Sequence, residues 1–214
     1  MPDTETGTRL ASVGKIISGD IFVGDSPRGF CTAFLVAPTV AITAAHCIYS
    51  TTSDRWNVGE GRAVSIVFGL NGYASTPLED VYGSPGYADT TWNLRRAVTA
   101  RIFQSYVDQP RWSCCTGNDL AIVELDVPMP SDSYLFPWVD WMKEGLPEFT
   151  SVAGYPVESQ LSGLDLHFDF TLVARTNARN GAEDNVFDAP VQITGGNSGG
   201  PLFADGKSEF VLGV

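Results

Sequence analysis

"TGGNSGGPLF", residues 194–203, is the stretch that decides how this chain is read. Four glycines surround Ser198, and the segment then runs into an apolar, strand-like end. Glycine adopts backbone angles closed to other residues and lets another chain approach closely. A glycine-rich turn around a serine therefore aims neighbouring backbone N–H groups at one point in space. A developing oxyanion is stabilised at such a point, each donor being worth about 10²–10³ in rate. Serine alone is a poor nucleophile at neutral pH and needs a base. This reading demands a histidine elsewhere in the chain and a carboxylate to orient it.

Only His46 and His167 are available. In "LDLHFDF" (164–170) apolar residues alternate with Asp165, His167 and Asp169, which puts His167 on the outward face of a strand. His46 ends "VAITAAHC" (40–47), read as a buried strand with the histidine at its exit. Taken alone, such a histidine is equally a satisfied core group. The carboxylate candidate is Asp119 in "GNDLAIVEL" (117–125), where a strand begins. By itself it is an ordinary turn or cap aspartate.

Composition narrows the classes. The chain has 214 residues, 43% of them hydrophobic, and a net charge of −12. This length buries roughly 70% of the surface of the unfolded chain, enough for a core without staples. So acidic a chain is repelled by phosphate backbones, which argues against nucleic-acid partners. No run approaches the ~20 apolar residues of a membrane helix. The four cysteines, Cys31, Cys47, Cys114 and Cys115, form no CxxC pair and show no zinc-site spacing with histidine. The N-terminal "MPDTETGTRLASVGK" has no apolar core of a signal peptide.

Strand-like runs recur at 15–23, 29–38, 40–47, 63–70, 97–104, 119–127, 149–156 and 164–174, and again in "PLFA" and "EFVLGV". Turn chemistry such as "GDSPRG", "LNGY" and "RNGAED" separates them. The pattern predicts an all-β sandwich or barrel. Four prolines in 127–147 interrupt the rhythm and mark a linker between two β-units. The weakly patterned, Gly-, Tyr- and Pro-rich stretch 71–95 reads as a surface insertion.

"TAAHC" (43–47), "NDLAIVEL" (118–125) and "GGNSGGPL" (195–202) together resemble the signature stretches of chymotrypsin-fold serine endopeptidases, in their chain order of His, Asp and Ser. The resemblance implies two antiparallel Greek-key β-barrels with the active site between them. The first, 10–127, would carry His46 and Asp119; residues 128–147 would link it to the second, 148–214, which carries Ser198. It implies that Ser198 attacks the scissile carbonyl, His46 relays the proton, and Asp119 fixes the imidazole. The N–H groups of Gly196 and Ser198 would form the oxyanion hole. It also implies a disulfide between Cys31 and Cys47, and with it a secreted or extracytoplasmic setting. Cys114 and Cys115 stay open between free thiols, a strained vicinal bridge and partners elsewhere. Protein or peptide substrates, no metal, no organic cofactor and a monomeric state are the accompanying expectations.

Departures from the family pattern point to a branch. The residue before the nucleophile is Asn197 where activation-type members carry an aspartate. Together with "VAGYP" (152–156) this resembles the V8-like, glutamyl endopeptidase branch. Gln192 stands where an aspartate would select Lys or Arg, and Gln192, Ile193, Thr194 and Gly195 are the expected substrate-binding residues. Ile193 occupies a place where a hydroxyl is expected, with Thr194 beside it. The expected histidine of glutamyl-specific relatives would follow Val214, and the resemblance leads us to expect a C-terminally incomplete second barrel with little activity on its own. The rival reading is a protease-like fold kept as a non-catalytic binding or regulatory module.

Overall fold

The computed structural model describes residues 11–18, 28–56, 64–68, 93–108, 118–129, 134–137, 149–157, 166–172, 194–204 and 210–213. Along the first half run β1 (Val13–Ser18), β2 (Arg28–Ala37), β3 (Val40–Thr43), helical turn α1 (Ala45–Ile48), β4 (Tyr49–Ser50), β5 (Arg55–Trp56), β6 (Val64–Phe68) and β7 (Asn93–Ile102). Then come α2 (Gln104–Val107), β8 (Ala121–Leu125), β9 (Phe136–Pro137), β10 (Phe149–Gly154), β11 (His167–Leu172), β12 (Leu202–Ala204) and β13 (Phe210–Gly213).

Period-two alternation builds the first unit. In β8, Ala121, Val123 and Leu125 point inward while Ile122 and Glu124 stay in the open, the pattern of a strand with one wet face. The inward residues meet Ile16, Ala33, Leu35, Ala41, Val64, Ile66 and Phe68 in one core. Burying each large aliphatic side chain contributes about 1.5–3 kcal/mol. Strands β1-β2-β3-β8-β7-β6 close around that core as a barrel, antiparallel throughout.

Strands β9 to β13 form a five-stranded sheet in the order β11-β10-β12-β13-β9. One of its pairs, β13 with β9, runs parallel, against the all-antiparallel expectation. The proline at 137 suits this short strand, because it has no N–H to give to a ladder. A second core joins the sheet to the barrel: Val13, Ile17, Phe34 and Val67 from barrel strands pack with Leu135, Ala153, Tyr155, Phe203 and Val211. That is why β1 and β6 are buried on both faces. The described residues thus make an all-β structure of one closed barrel joined to a five-stranded sheet.

Two local expectations change. The strand read through 40–47 ends at Thr43, and Ala45–Ile48 form a helical turn. The physical cause is a carboxylate from far along the chain, described below. Residues 93–95, assigned above to an insertion, belong to β7 and pair with β6; most of 71–95 lies outside the described residues. Cys114 and Cys115 also lie outside them.

Candidate active site

The turn α1 begins without a side-chain cap of its own, since Ala44 stands at its N-cap. Its first N–H groups need acceptors from elsewhere. Asp119, just ahead of β8, supplies them. Its Oδ1 accepts the His46 backbone N–H at 2.9 Å, and the Ala45 N–H also bonds to this carboxylate. Its Oδ2 lies 2.8 Å from Nδ1 of the His46 ring. The capping of one turn and the orientation of one imidazole are therefore done by the same side chain. The pair is unevenly covered: the His46 side chain is 45% exposed and that of Asp119 24%. Burial alone would raise the Asp119 pKa, but the hydrogen bonds and charge of His46 outweigh it and hold the carboxyl below its ordinary range.

Tyr106 of α2 is buried near this carboxylate. Burial first, then the charges at Asp119 and Tyr49, push its phenol up to about 12. It stays neutral at any physiological pH. Tyr49 packs edge-on against Trp56, with ring centroids 5.3 Å apart, and its hydroxyl bonds Asp54.

Cys31 and Cys47 are joined as a disulfide with Cα atoms 6.1 Å apart. This ties β2 to the residue after His46. The two sulfurs and His46 place donor atoms within 4.8 Å of one another. Zinc takes thiolates, and a disulfide offers none, so this group of donors is not a zinc site in its bonded form.

The Ser198 turn is held against the same strand. The Ser198 carbonyl accepts the Thr32 N–H at 2.8 Å, and Cys47 Sγ lies 3.7 Å from that oxygen. Gly196 has φ +100° and Gly199 φ +83°, angles that L side chains rarely adopt. A Cβ at Gly196 would run into the Tyr155 carbonyl, and one at Gly199 into Thr43 Oγ1 and the Thr32 carbonyl. Gly195 has no such constraint: a Cβ there would meet only Val157 Cγ2, at 3.9 Å. Within the turn, Asn197 N–H bonds the Thr194 carbonyl at 3.1 Å and Gly200 N–H the Asn197 carbonyl at 2.9 Å.

His46 and Asp119 thus meet directly, and the backbone of Ser198 packs beside Cys47 and Thr32. Thr194 and Gly195 lie in the turn, while Gln192 and Ile193 fall outside the described residues. Thr194 Oγ1 and Asn197 Oδ1 are buried without a hydrogen-bond partner among the described residues. His167 is exposed on β11, as its alternation implies. The motifs passed over Thr32, which bonds the turn at Gly196 and Ser198 and is itself held by the Thr43 hydroxyl and the Tyr155 N–H. The signal was a threonine inside the apolar run "FCTAFLVA" (30–37), since a buried hydroxyl requires partners.

Comparison with solved structures bears on the fold. A thermostable serine protease from an extremophilic microorganism aligns with TM-score 0.63 and 17% identity, over 94% of this chain and 82% of the other. A Glu endopeptidase aligns with TM-score 0.63 and 17% identity, over 100% of this chain and 81% of the other. Protease Anisep from Arthrobacter nicotinovorans aligns with TM-score 0.61 and 18% identity, over 95% and 82%. Comparison with curated protein sequences gives no match. Residues 31–214 match the family described as trypsin-like peptidase domain, and the chain accordingly belongs to that family, the serine-type peptidases of the chymotrypsin fold.

Proposed function

We propose that the protein is a serine endopeptidase in which Ser198, His46 and Asp119 form the catalytic triad. The observation that carries this reading is the double hold of Asp119 on His46, at 2.9 and 2.8 Å, with the imidazole open to solvent. A carboxylate on Nδ1 keeps that proton in place and leaves Nε2 unprotonated, the tautomer a general base needs. Ser198 then loses its proton to His46 as its oxygen bonds to the scissile carbonyl carbon. The tetrahedral oxyanion is received by the N–H groups of Gly196 and Ser198. Collapse expels the amine with the proton from His46 and leaves an acyl-enzyme, which water hydrolyses by the reverse relay.

Asn197 and the likeness to a Glu endopeptidase favour the V8-like branch for this chain. Cleavage after acidic residues is the specificity to test first, with Thr194 in the primary pocket. The Cys31–Cys47 disulfide favours an oxidising, extracytoplasmic compartment. A fluorophosphonate probe should label the protein at Ser198, and Ser198→Ala should abolish the labelling. His46→Ala should cost several powers of ten in turnover, as members of a triad act as a unit. Wild-type protein that neither labels nor cleaves casein would favour the non-catalytic binding module instead.

A further inference from the structure

Thr32 has no part in the triad, yet it is fully buried and bonds the nucleophile turn twice, at Gly196 and at Ser198. Its hydroxyl donates to the Gly196 carbonyl at 2.8 Å and accepts the Tyr155 N–H at 3.0 Å. Its own N–H donates to the Ser198 carbonyl at 2.8 Å. Its carbonyl accepts the Thr43 hydroxyl at 2.7 Å. All these partners belong to other segments: β3, the end of β10, and the turn 194–200. Thr32 itself shares the outward face of β2 with Phe34, which packs in the core between barrel and sheet.

The consequence follows from peptide planarity. In a trans peptide the N–H points opposite to the preceding C=O. The Gly195 carbonyl is held by the Val157 N–H at 2.6 Å, which fixes the direction of the Gly196 N–H. The Gly196 carbonyl is held by the Thr32 hydroxyl, which fixes the peptide plane on the other side of the same residue. Gly196 at φ +100° has no steric preference for that conformation, so these two bonds, together with the Asn197 N–H on the Thr194 carbonyl, hold it. Val157 follows β10, on the sheet side, and can set the turn only relative to that sheet. Thr32 belongs to the barrel that carries His46 and Asp119.

We propose that Thr32 is a positioning residue for peptide hydrolysis, its hydroxyl registering the oxyanion turn at Gly196 against the barrel that carries His46. The proposal rests on the assignment of Ser198 as nucleophile and Gly196 as oxyanion donor. Its partner chemistry is specific: the hydroxyl must donate to one backbone carbonyl and accept from one backbone N–H at once. Serine keeps both functions. Valine keeps the shape and loses both. Alanine loses both but leaves room for a water to bridge the two partners.

The test compares wild type with Thr32→Val, Thr32→Ala and Thr32→Ser in the full-length protein, each checked for folding by near-ultraviolet circular dichroism. The readout is phosphonylation by a fluorophosphonate probe, resolved into the affinity of the encounter and the first-order rate of bond formation. The rate should fall about ten- to a hundredfold in Thr32→Val, with affinity unchanged, because the oxyanion contact that the Thr32 hydroxyl positions is made in the transition state alone. Thr32→Ala should fall less, and Thr32→Ser should recover to within about threefold of wild type, since its hydroxyl keeps the same bonds. If Thr32→Val does not fold, the Thr32→Ala and Thr32→Ser pair decides. A folded Thr32→Val or Thr32→Ala that reacts at the wild-type rate overturns the proposal, as does failure of serine to restore the rate. Wild type that reacts no faster than Ser198→Ala would instead overturn the triad assignment, and this proposal with it.

Discussion

Asp119 grips His46 twice, through the ring at 2.8 Å and through the backbone N–H at 2.9 Å. The same carboxylate sets the start of a helical turn and the orientation of the imidazole. Any change at Asp119 therefore acts on stability and chemistry together.

Asp119→Asn should lower kcat by about 10⁴ through the wrong histidine tautomer. The pH dependence separates the two effects. Asp119 has its pKa lowered on folding, so its stabilisation is present above the ordinary carboxylate range and is lost as pH falls through the lowered value. Melting temperatures of wild type and Asp119→Asn should differ at neutral pH and converge in acid. A constant difference down to the lowest pH would show that the charge contributes nothing.

Gly199→Ala should prevent folding or lower the melting temperature sharply, because φ is +83° and a Cβ would overlap Thr43 Oγ1 and the Thr32 carbonyl. Gly195→Ala, only three residues after Gln192 in the same segment, should leave the melting temperature nearly unchanged, as its Cβ meets nothing closer than 3.9 Å. Thermal unfolding of the two variants checks the contrast.

Lys15 is 1% exposed on β1, between Val13 and Ile17 in the alternation, and desolvation lowers its pKa from 10.5 to about 8. The unfolded chain holds this proton more tightly, so stability rises as pH climbs from about 8 to 10.5. The melting temperature of wild type relative to Lys15→Met should rise between pH 7 and pH 10, where the wild-type amine becomes neutral, by about 2–4 °C for each kcal/mol gained. Calorimetry at the two pH values measures it.

Replacing both Cys31 and Cys47 by serine opens a loop of sequence separation 16. A loop of that size is worth about 3 kcal/mol, a fall of roughly 6–12 °C in melting temperature. The same fall should follow reduction of wild type by a dithiol, and the double variant should be indifferent to that reductant.

Much of the barrel was legible in the residues. "AIVEL" (121–125) lies within the strand-like run 119–127, and its burial alternates even where its chemistry does not, Ile122 standing exposed beside Glu124. The two-residue strands β4, β5 and β9 were not legible, because two residues carry no period. The end of β3 was misjudged for a different reason. Nothing within "VAITAAHC" announces a helical turn, since the cap that stabilises it is Asp119, 73 residues away. At the proposed site, the motifs single out His46, Asp119 and Ser198 as a set, whereas no motif marks Thr32, whose bond to Gly196 spans 164 residues.

The amino-acid sequence alone determined that this chain makes short strands and a glycine-rich serine turn, because side-chain periodicity and backbone freedom are properties of neighbouring residues. Tertiary structure alone decided that the carboxylate beside His46 also caps its helical turn, and which hydroxyl fastens the turn 194–200 to the barrel. Hydrogen bonds reach only about 3 Å, so partners remote in the chain acquire one another only when the two cores have formed.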